Sequence, residues 1–171
     1  MKKIAMFCSM LMAAFMMTAS AQEAKKEAPK SPLVSASNKI ASVSYSQPSK
    51  RDRVIFGELV PFGAIWRTGA NMSTDITFKT DVIFGGKEVK KGTYSIFTIP
   101  EANEWTVILN SVTAQKGSSE YEQNKEKNVV EVKAPVVATT NVQEKFTISF
   151  KGDNINFNWD KTSVSVPLKK K

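Results

Sequence analysis

Hydrophobic and polar residues alternate one by one along most of the chain. In Ala41–Tyr45, alanine, valine and tyrosine alternate with serines. The same alternation recurs at Thr74, Ile76, Phe78, Trp105, Val107, Leu109, Phe146, Ile148, Phe150, Ile155, Phe157, Trp159, Val164, Val166 and Leu168. A period of two puts one face of a strand on a core and the other in water, which is typical of antiparallel sheets. The pattern predicts an all-β protein.

Turn residues separate these alternating runs. Gly85–Gly86 lies between two short apolar runs and predicts a tight hairpin. Gly152–Asp153 and Asp160–Lys161 predict turns between the last strands, and Pro100 ends a strand because proline cannot donate to a ladder. Only residues 118–127 have a composition that suits a short helix. Many short strands with regular turns predict a single antiparallel β-sandwich or a jelly-roll-like barrel.

The N-terminus has the features of a signal peptide. Lys2 and Lys3 precede the apolar run Ile4–Met17, and Ala19-Ser20-Ala21 follows with the small residues that signal peptidase reads. We therefore expect residues 1–21 to be removed and the protein to be periplasmic or secreted. The apolar run is short for a membrane span, and no later run has spanning length. We expect no integral membrane segment after cleavage.

Composition divides the rest of the chain into three parts. Residues 22–37 are rich in Ala, Lys, Pro and Ser, which predicts a flexible tether. Residues 38–168 are predicted to form the β-sandwich domain, and residues 169–171 a basic tail. The formal net charge of +8 falls to +6 without Lys2 and Lys3, since residues 1–21 carry no acid. The strands do not interleave basic and aromatic residues on one face, so nucleic acid is not an expected partner.

The residue types that are missing exclude several kinds of chemistry. The chain has no histidine, and its only cysteine is Cys8, within the predicted signal peptide. Ser-His-Asp and Cys-His catalysis are therefore excluded, as are metal sites built from nitrogen or sulfur ligands. No phosphate-binding glycine-rich loop or dinucleotide fingerprint is present. We expect neither a metal site nor a cofactor.

The run Pro61–Asn71 breaks the alternation and concentrates the unusual residues. Gly63 and Gly69 allow sharp turns, and Trp66 and Arg67 are neighbours that point to opposite sides if extended. The guanidinium of Arg67 either holds loop carbonyls as scaffolding or faces a cleft where it binds an anionic or sugar ligand. The candidate ligand-binding residues are Trp66, Arg67, Thr68, Asn71 and Tyr94.

Several strings in the chain are shared with a known family. They are Tyr45-Ser46-Gln47-Pro48-Ser49, Arg53-Val54-Ile55-Phe56-Gly57, Leu59-Val60-Pro61-Phe62-Gly63, Trp66-Arg67-Thr68-Gly69-Ala70-Asn71, Lys91-Gly92-Thr93-Tyr94-Ser95 and Glu104-Trp105-Thr106-Val107. In this order they resemble the bacterial domain-of-unknown-function family 2911. The resemblance implies an exported, single-domain, β-rich protein and brings no established activity.

Three functions remain open on the sequence. The first is a non-catalytic β-sandwich that binds a small molecule, a glycan or an envelope partner beside the Trp66–Asn71 loop. The second is a hydrolase or lyase that uses carboxylate, lysine or tyrosine chemistry, with two of Glu58, Asp75, Glu104, Tyr94 and Arg67 meeting in one pocket. The third is a structural envelope protein without a ligand.

Overall fold

A computed structural model describes residues 31–171. The predicted signal peptide and residues 22–30 of the predicted tether lie outside the described residues. The elements are β1 (Leu33–Ser37), β2 (Ala41–Ser46), β3 (Ala70–Phe78), β4 (Val82–Phe84), β5 (Lys87–Val89), β6 (Gly92–Pro100), β7 (Glu104–Asn110), α1 (Gly117–Asn124), a 3-10 turn (Lys125–Lys127), β8 (Asn128–Lys151) and β9 (Asn154–Lys170). No helix in this part of the chain is long and apolar enough to cross a membrane.

The strands form one antiparallel sheet in the order β1-β2-β3-β6-β7-β8-β9-β4-β5. Strand β8 links the two halves of this order. Its first part pairs with β7 as far as Pro135, opposite Glu104, and from Val136 onward it pairs with β9. Proline has no N–H to donate, so Pro135 suits the point where the ladder passes from one neighbour to the other. The predicted all-β, antiparallel, single-domain fold is confirmed.

The two halves of the sheet face each other across one core. Phe78 of β3 lies 6.2 Å from Phe84 of β4, measured between ring centroids. Tyr45 of β2 packs edge-on against Phe146 of β8, and its hydroxyl accepts a 2.9 Å hydrogen bond from the Ile148 amide. Inward residues of both halves are almost fully buried, as the alternation predicted. The fold is therefore a two-layered β-sandwich made from one folded sheet.

Three local expectations differ from the structure. Part of the predicted tether, residues 33–37, is strand β1: it pairs with β2, and its Val34 and Ala36 pack on the core. Its alternation is too short to stand out from the surrounding polar composition. Lys169 and Lys170 of the predicted tail extend β9 beside β4, because a backbone ladder does not require apolar side chains.

No turn forms at Asp160, contrary to the sequence prediction. Asp160 lies inside the continuous strand β9, with φ 52°, and pairs with Gln143 of β8 between two shifts in register. A left-handed residue at a shift in register is typical of a bulge, which bends a strand without ending it. The Asp-Lys pair marks that irregularity in the sequence, but the chain continues in the same direction.

Residues 47–69 connect β2 to β3 and cover one end of the sandwich. Two backbone hydrogen bonds attach this connection to β6: the Trp66 amide donates to the Thr98 carbonyl at 2.7 Å, and the Thr98 amide donates back at 2.9 Å. A third joins its start to β8, where the Phe146 amide donates to the Pro48 carbonyl. The connection formed by residues 47–69 is thus fixed to both layers of the fold.

Candidate functional site

Trp66 is fixed in a cluster of buried aromatic rings at this end of the sandwich. Its indole stacks on that of Trp159, with ring centroids 5.8 Å apart and an interplanar angle of 18°. The ring centroids of Phe146 and Trp105 lie 5.0 and 5.9 Å from that of Trp66. The indole N–H donates to the Gly69 carbonyl at 3.0 Å. Aromatic pairs of this kind contribute about 0.5–1.5 kcal/mol each beyond their buried area, so the ring holds the loop firmly.

Thr68 supports the loop from inside. It is fully buried and adopts φ 56°, and its hydroxyl donates to Thr98 Oγ1 at 3.2 Å. Its carbonyl accepts a 2.6 Å hydrogen bond from the hydroxyl of Thr74. A side chain with this burial reaches no ligand. Thr68 therefore shapes the turn between Trp66 and Asn71.

Arg67 is partly exposed, whereas its neighbour Trp66 is buried. Its Nη1 donates to the carbonyl of Asn71 at 3.2 Å, while the Asn71 amide group donates to Ser46 Oγ at 3.3 Å. Asn71 adopts φ 60°, and its backbone carbonyl, not its side chain, contacts Arg67. Within residues 31–171, the Nε of Arg67 is buried without an acceptor, and no carboxylate lies within ion-pair distance.

A concavity of about 210 Å³ lies beside this loop. Arg67 and the indoles of Trp66 and Trp159 contribute to its wall, together with a second cation, Arg53. The remaining lining is Ser31, Pro48, Leu59, Val60, Gly69 and Ala70. Sites that enclose a drug-sized ligand have volumes of about 300–1,000 Å³, so this concavity has room for one small group.

Comparison with known proteins gives a family and no activity. The model of the family described as "Protein of unknown function (DUF2911)" matches residues 29–168. The chain belongs to this family. No curated protein and no solved structure matches it.

Tyr94 of this DUF2911 protein lies at the far end of the sheet from the concavity. It packs on Phe78, and its hydroxyl donates to the Lys90 carbonyl at 3.0 Å. Phe78 ends strand β3, whereas Ala70, which lines the concavity, begins it. Eight residues at about 3.3 Å each separate these two ends by about 26 Å. Burial raises the pKa of Tyr94, with a smaller contribution from the charge of Asp81. The structure does not bring Tyr94 to the other candidates.

The three candidate carboxylates lie in separate places. Asp75 accepts from the hydroxyls of Ser73 and Ser95, at 3.1 and 2.8 Å, and from the Ala114 amide at 3.1 Å. Glu104 forms a 2.9 Å ion pair with Lys133 on the sheet surface. Glu58 is exposed in the loop, and neither it nor the other two line the concavity of Arg67.

Sequence reasoning missed Arg53 as a wall of the DUF2911 concavity and assigned Trp159 only to the core. Trp159 is 1% exposed, so an alternating pattern cannot reveal the edge that it contributes. Arg53 did have a signal, because arginine occurs in this chain only at positions 51, 53 and 67, and every other cationic residue is lysine. If the arginines had been considered separately from the lysines, Arg53 would have been a candidate together with Arg67.

Proposed function

We propose that this protein is an exported, non-catalytic binding protein that takes a small anionic group in the concavity beside the Trp66–Asn71 loop. The anion belongs to a small molecule, to a glycan or to an envelope component. Arg67 supplies the charge, and the aromatic cluster behind Trp66 holds the loop rigid. The proposal rests above all on the poorly satisfied guanidinium of Arg67.

The hydrogen bonds of Arg67 favour binding over scaffolding. An arginine that serves as scaffold uses its fixed donor fork on carbonyls or carboxylates. Arg67 donates to one carbonyl in the described chain, and its Nε has no acceptor there. A buried donor without a partner costs about 1–3 kcal/mol, a cost that an anionic ligand reaching the guanidinium would offset in part. Charge-assisted pairs between arginine and carboxylate or phosphate are among the stronger hydrogen bonds in proteins.

Thermal unfolding with a panel of compounds tests this proposal. The panel contains phosphate, sulfate, galacturonate and N-acetylneuraminate, with galactose as the neutral counterpart of galacturonate. The variants are Arg67→Met, which removes the charge and keeps an aliphatic stem, and Lys151→Met, which makes the same charge change at an exposed position in the β8–β9 hairpin. A ligand at a hundred times its Kd adds about 2.7 kcal/mol to the stability of the folded state.

We expect an anionic compound to raise the Tm of the wild type and of Lys151→Met but not of Arg67→Met. We expect the Tm of Arg67→Met without ligand to stay close to that of the wild type. The proposal fails if no compound shifts the wild type and Arg67→Met unfolds much earlier, since Arg67 is then scaffolding.

Export is tested separately. The full chain is expressed in a Gram-negative host, and the cell fractions and the culture medium are compared. We expect to find the protein in the periplasm or the medium, with an intact mass that corresponds to a chain beginning at Gln22. A cytoplasmic product that retains Met1–Ala21 would contradict export and leave the binding experiment unaffected.

A further inference from the structure

All three arginines of the chain lie at one end of the sandwich. Arg53 and Arg67 line the concavity described above, and Arg51 lies two residues before Arg53. Elsewhere the cationic residues are lysines, at many exposed positions. Arginine binds planar anions with two parallel hydrogen bonds, whereas lysine acts as a point charge. The grouping of every arginine here indicates recognition of anions rather than general solubility.

A second concavity adjoins the first. It has a volume of about 130 Å³ and is lined by Ser31, Ser49, Arg51 and Arg53. Ser31 and Arg53 line both concavities, so the two lie side by side, with Arg67 in the wall of one and Arg51 in the wall of the other. Each part is small for a complete ligand, and together they suit an elongated one.

The segment that carries Arg51 and Arg53 is held in place by hydrogen bonds. The guanidinium of Arg53 donates to the carbonyls of Ser49 and Lys50. The backbone N–H of Arg51 donates to Oε1 of Glu144 at 2.8 Å, and the residue adopts φ 53°. A non-glycine residue in the left-handed region is uncommon and costs about 1–3 kcal/mol, so surrounding contacts must fix it. The backbone at Arg51 and the guanidinium of Arg53 are therefore held in place before any ligand arrives.

We infer that the ligand is an elongated molecule with two anionic groups, one bound at Arg67 and the other at Arg51, in a loop that Arg53 holds through the carbonyls of Ser49 and Lys50. This inference rests on the proposed function and adds the number of charges and the residues that bind each. Carboxylates on successive sugar rings and linked phosphates share this chemistry. The wall of the first concavity is partly apolar, with Pro48 and Leu59 in its lining, so the uncharged spacer between the anions has apolar surface to contact.

Matched pairs of probes test the inference by isothermal titration calorimetry at low salt. One pair is galacturonate and digalacturonate, and the other is phosphate and pyrophosphate. The chief variant is Arg51→Met, because the Arg51 side chain makes no hydrogen bond or ion pair within residues 31–171, and its loss leaves the loop contacts intact. Arg67→Met and the charge-matched control Lys151→Met complete the set.

We expect the two-anion member of at least one pair to bind the wild type at least tenfold more tightly than its single-anion counterpart, a difference of about 1.4 kcal/mol. In Arg51→Met this advantage should fall below threefold while the affinity for the single anion stays constant. Arg67→Met should weaken both members, and Lys151→Met should change neither. The pair that shows the advantage identifies the class of anion.

Three outcomes overturn the inference, and they differ in what they say of the proposed function. If single and double anions bind the wild type equally and Arg51→Met has no effect, the second concavity takes no part and only the inference fails. If no probe of either pair binds, both the inference and the anion-binding proposal fail. A loss of affinity in Lys151→Met equal to that in Arg51→Met would also overturn the inference, since the effect is then one of net charge.

Discussion

Gly117 lies directly against the guanidinium of Arg67. A Cβ added at residue 117 would come within 2.7 Å of Nη1, and the glycine adopts φ +75°. We predict that Gly117→Ala costs about 1–2 kcal/mol from the left-handed backbone and displaces Arg67 from its place beside the concavity. Anion affinity should therefore fall although every charge remains. Titration of the variant with the best compound of the panel measures this effect.

The matched control for that prediction is Gly152→Ala. Gly152 also has a left-handed φ, +56°, but a Cβ there meets nothing within 4 Å. We expect a similar loss of stability with unchanged anion affinity. Equal affinities in the two variants would show that the position of Arg67 does not matter for binding.

The two glycines of the β4–β5 hairpin should respond differently to alanine. Both have positive φ, but a Cβ on Gly85 would lie 2.6 to 2.9 Å from atoms of Val132 in β8, whereas one on Gly86 meets nothing within 4 Å. We predict that Gly86→Ala costs about 1–2 kcal/mol from backbone strain. Gly85→Ala should cost about 1–3 kcal/mol more, because the branched side chain of Val132 is packed in the core. Urea unfolding of both variants gives the comparison. Equal losses of unfolding free energy would show that Gly85 does not pack against Val132.

Asp75 anchors the connection between β7 and α1 to the sheet. Removing its carboxylate in Asp75→Ala leaves the hydroxyls of Ser73 and Ser95 and the Ala114 amide without this acceptor. We predict a loss of about 1–3 kcal/mol, the cost of leaving buried donors unpaired. Hydrogen exchange should become faster at Ala114 and Gln115. Thr77→Ala, two residues along the same strand face, is the control and should leave that exchange unchanged.

Stability should decline at high pH because two tyrosines hold their protons more tightly in the folded chain. Burial raises the pKa of Tyr94 and of Tyr121 above the ordinary value. Above about pH 10 the unfolded chain loses tyrosine protons that the folded chain keeps. The unfolded state then binds fewer protons, so the unfolding free energy falls as the pH rises, until the raised folded pKa is reached.

Urea unfolding between pH 8 and 11.5 measures this decline. Tyr94→Phe also loses the hydrogen bond to Lys90 and should be less stable at every pH, but its decline above pH 10 should be shallower than in the wild type. Tyr121→Phe tests the second residue in the same way. If the unfolding free energies of the wild type and both variants fall with pH at the same rate, groups other than these tyrosines cause the decline.

The fold was more predictable from the sequence than the site, for a physical reason. Alternation at Phe146–Phe150 or Val164–Leu168 is a local property, and it determines which side of a strand faces the core. Glycine pairs such as Gly85–Gly86 likewise act on their own turn. Strand β1 was not predicted because five residues give little alternating pattern. The bulge at Asp160 was not predicted because it depends on pairing with β8, a different segment of the chain.

The site depends on contacts between distant segments. Trp66 and Arg67 were found because an aromatic and a cation stand together between two glycines. Trp159 comes from the last strand, and Arg53 is an ordinary surface residue until the loop folds beside Arg67. Thr68 and Tyr94 are polar and lie within shared motifs, yet Thr68 is buried, and Tyr94 lies in β6 beside the end of β3 that is far from the concavity. Sequence locates the loop, and only the fold decides which of its neighbours share the concavity.

Strand β8 has a consequence for how the protein comes apart. Strand β8 pairs with β7 in its first part and with β9 in its later part. The two layers therefore share one continuous length of backbone where they meet. Neither layer keeps its core or its ladder if the other melts. We therefore expect the amides of both layers to exchange through one global opening with a common free energy, so that the molecule behaves as one foldon.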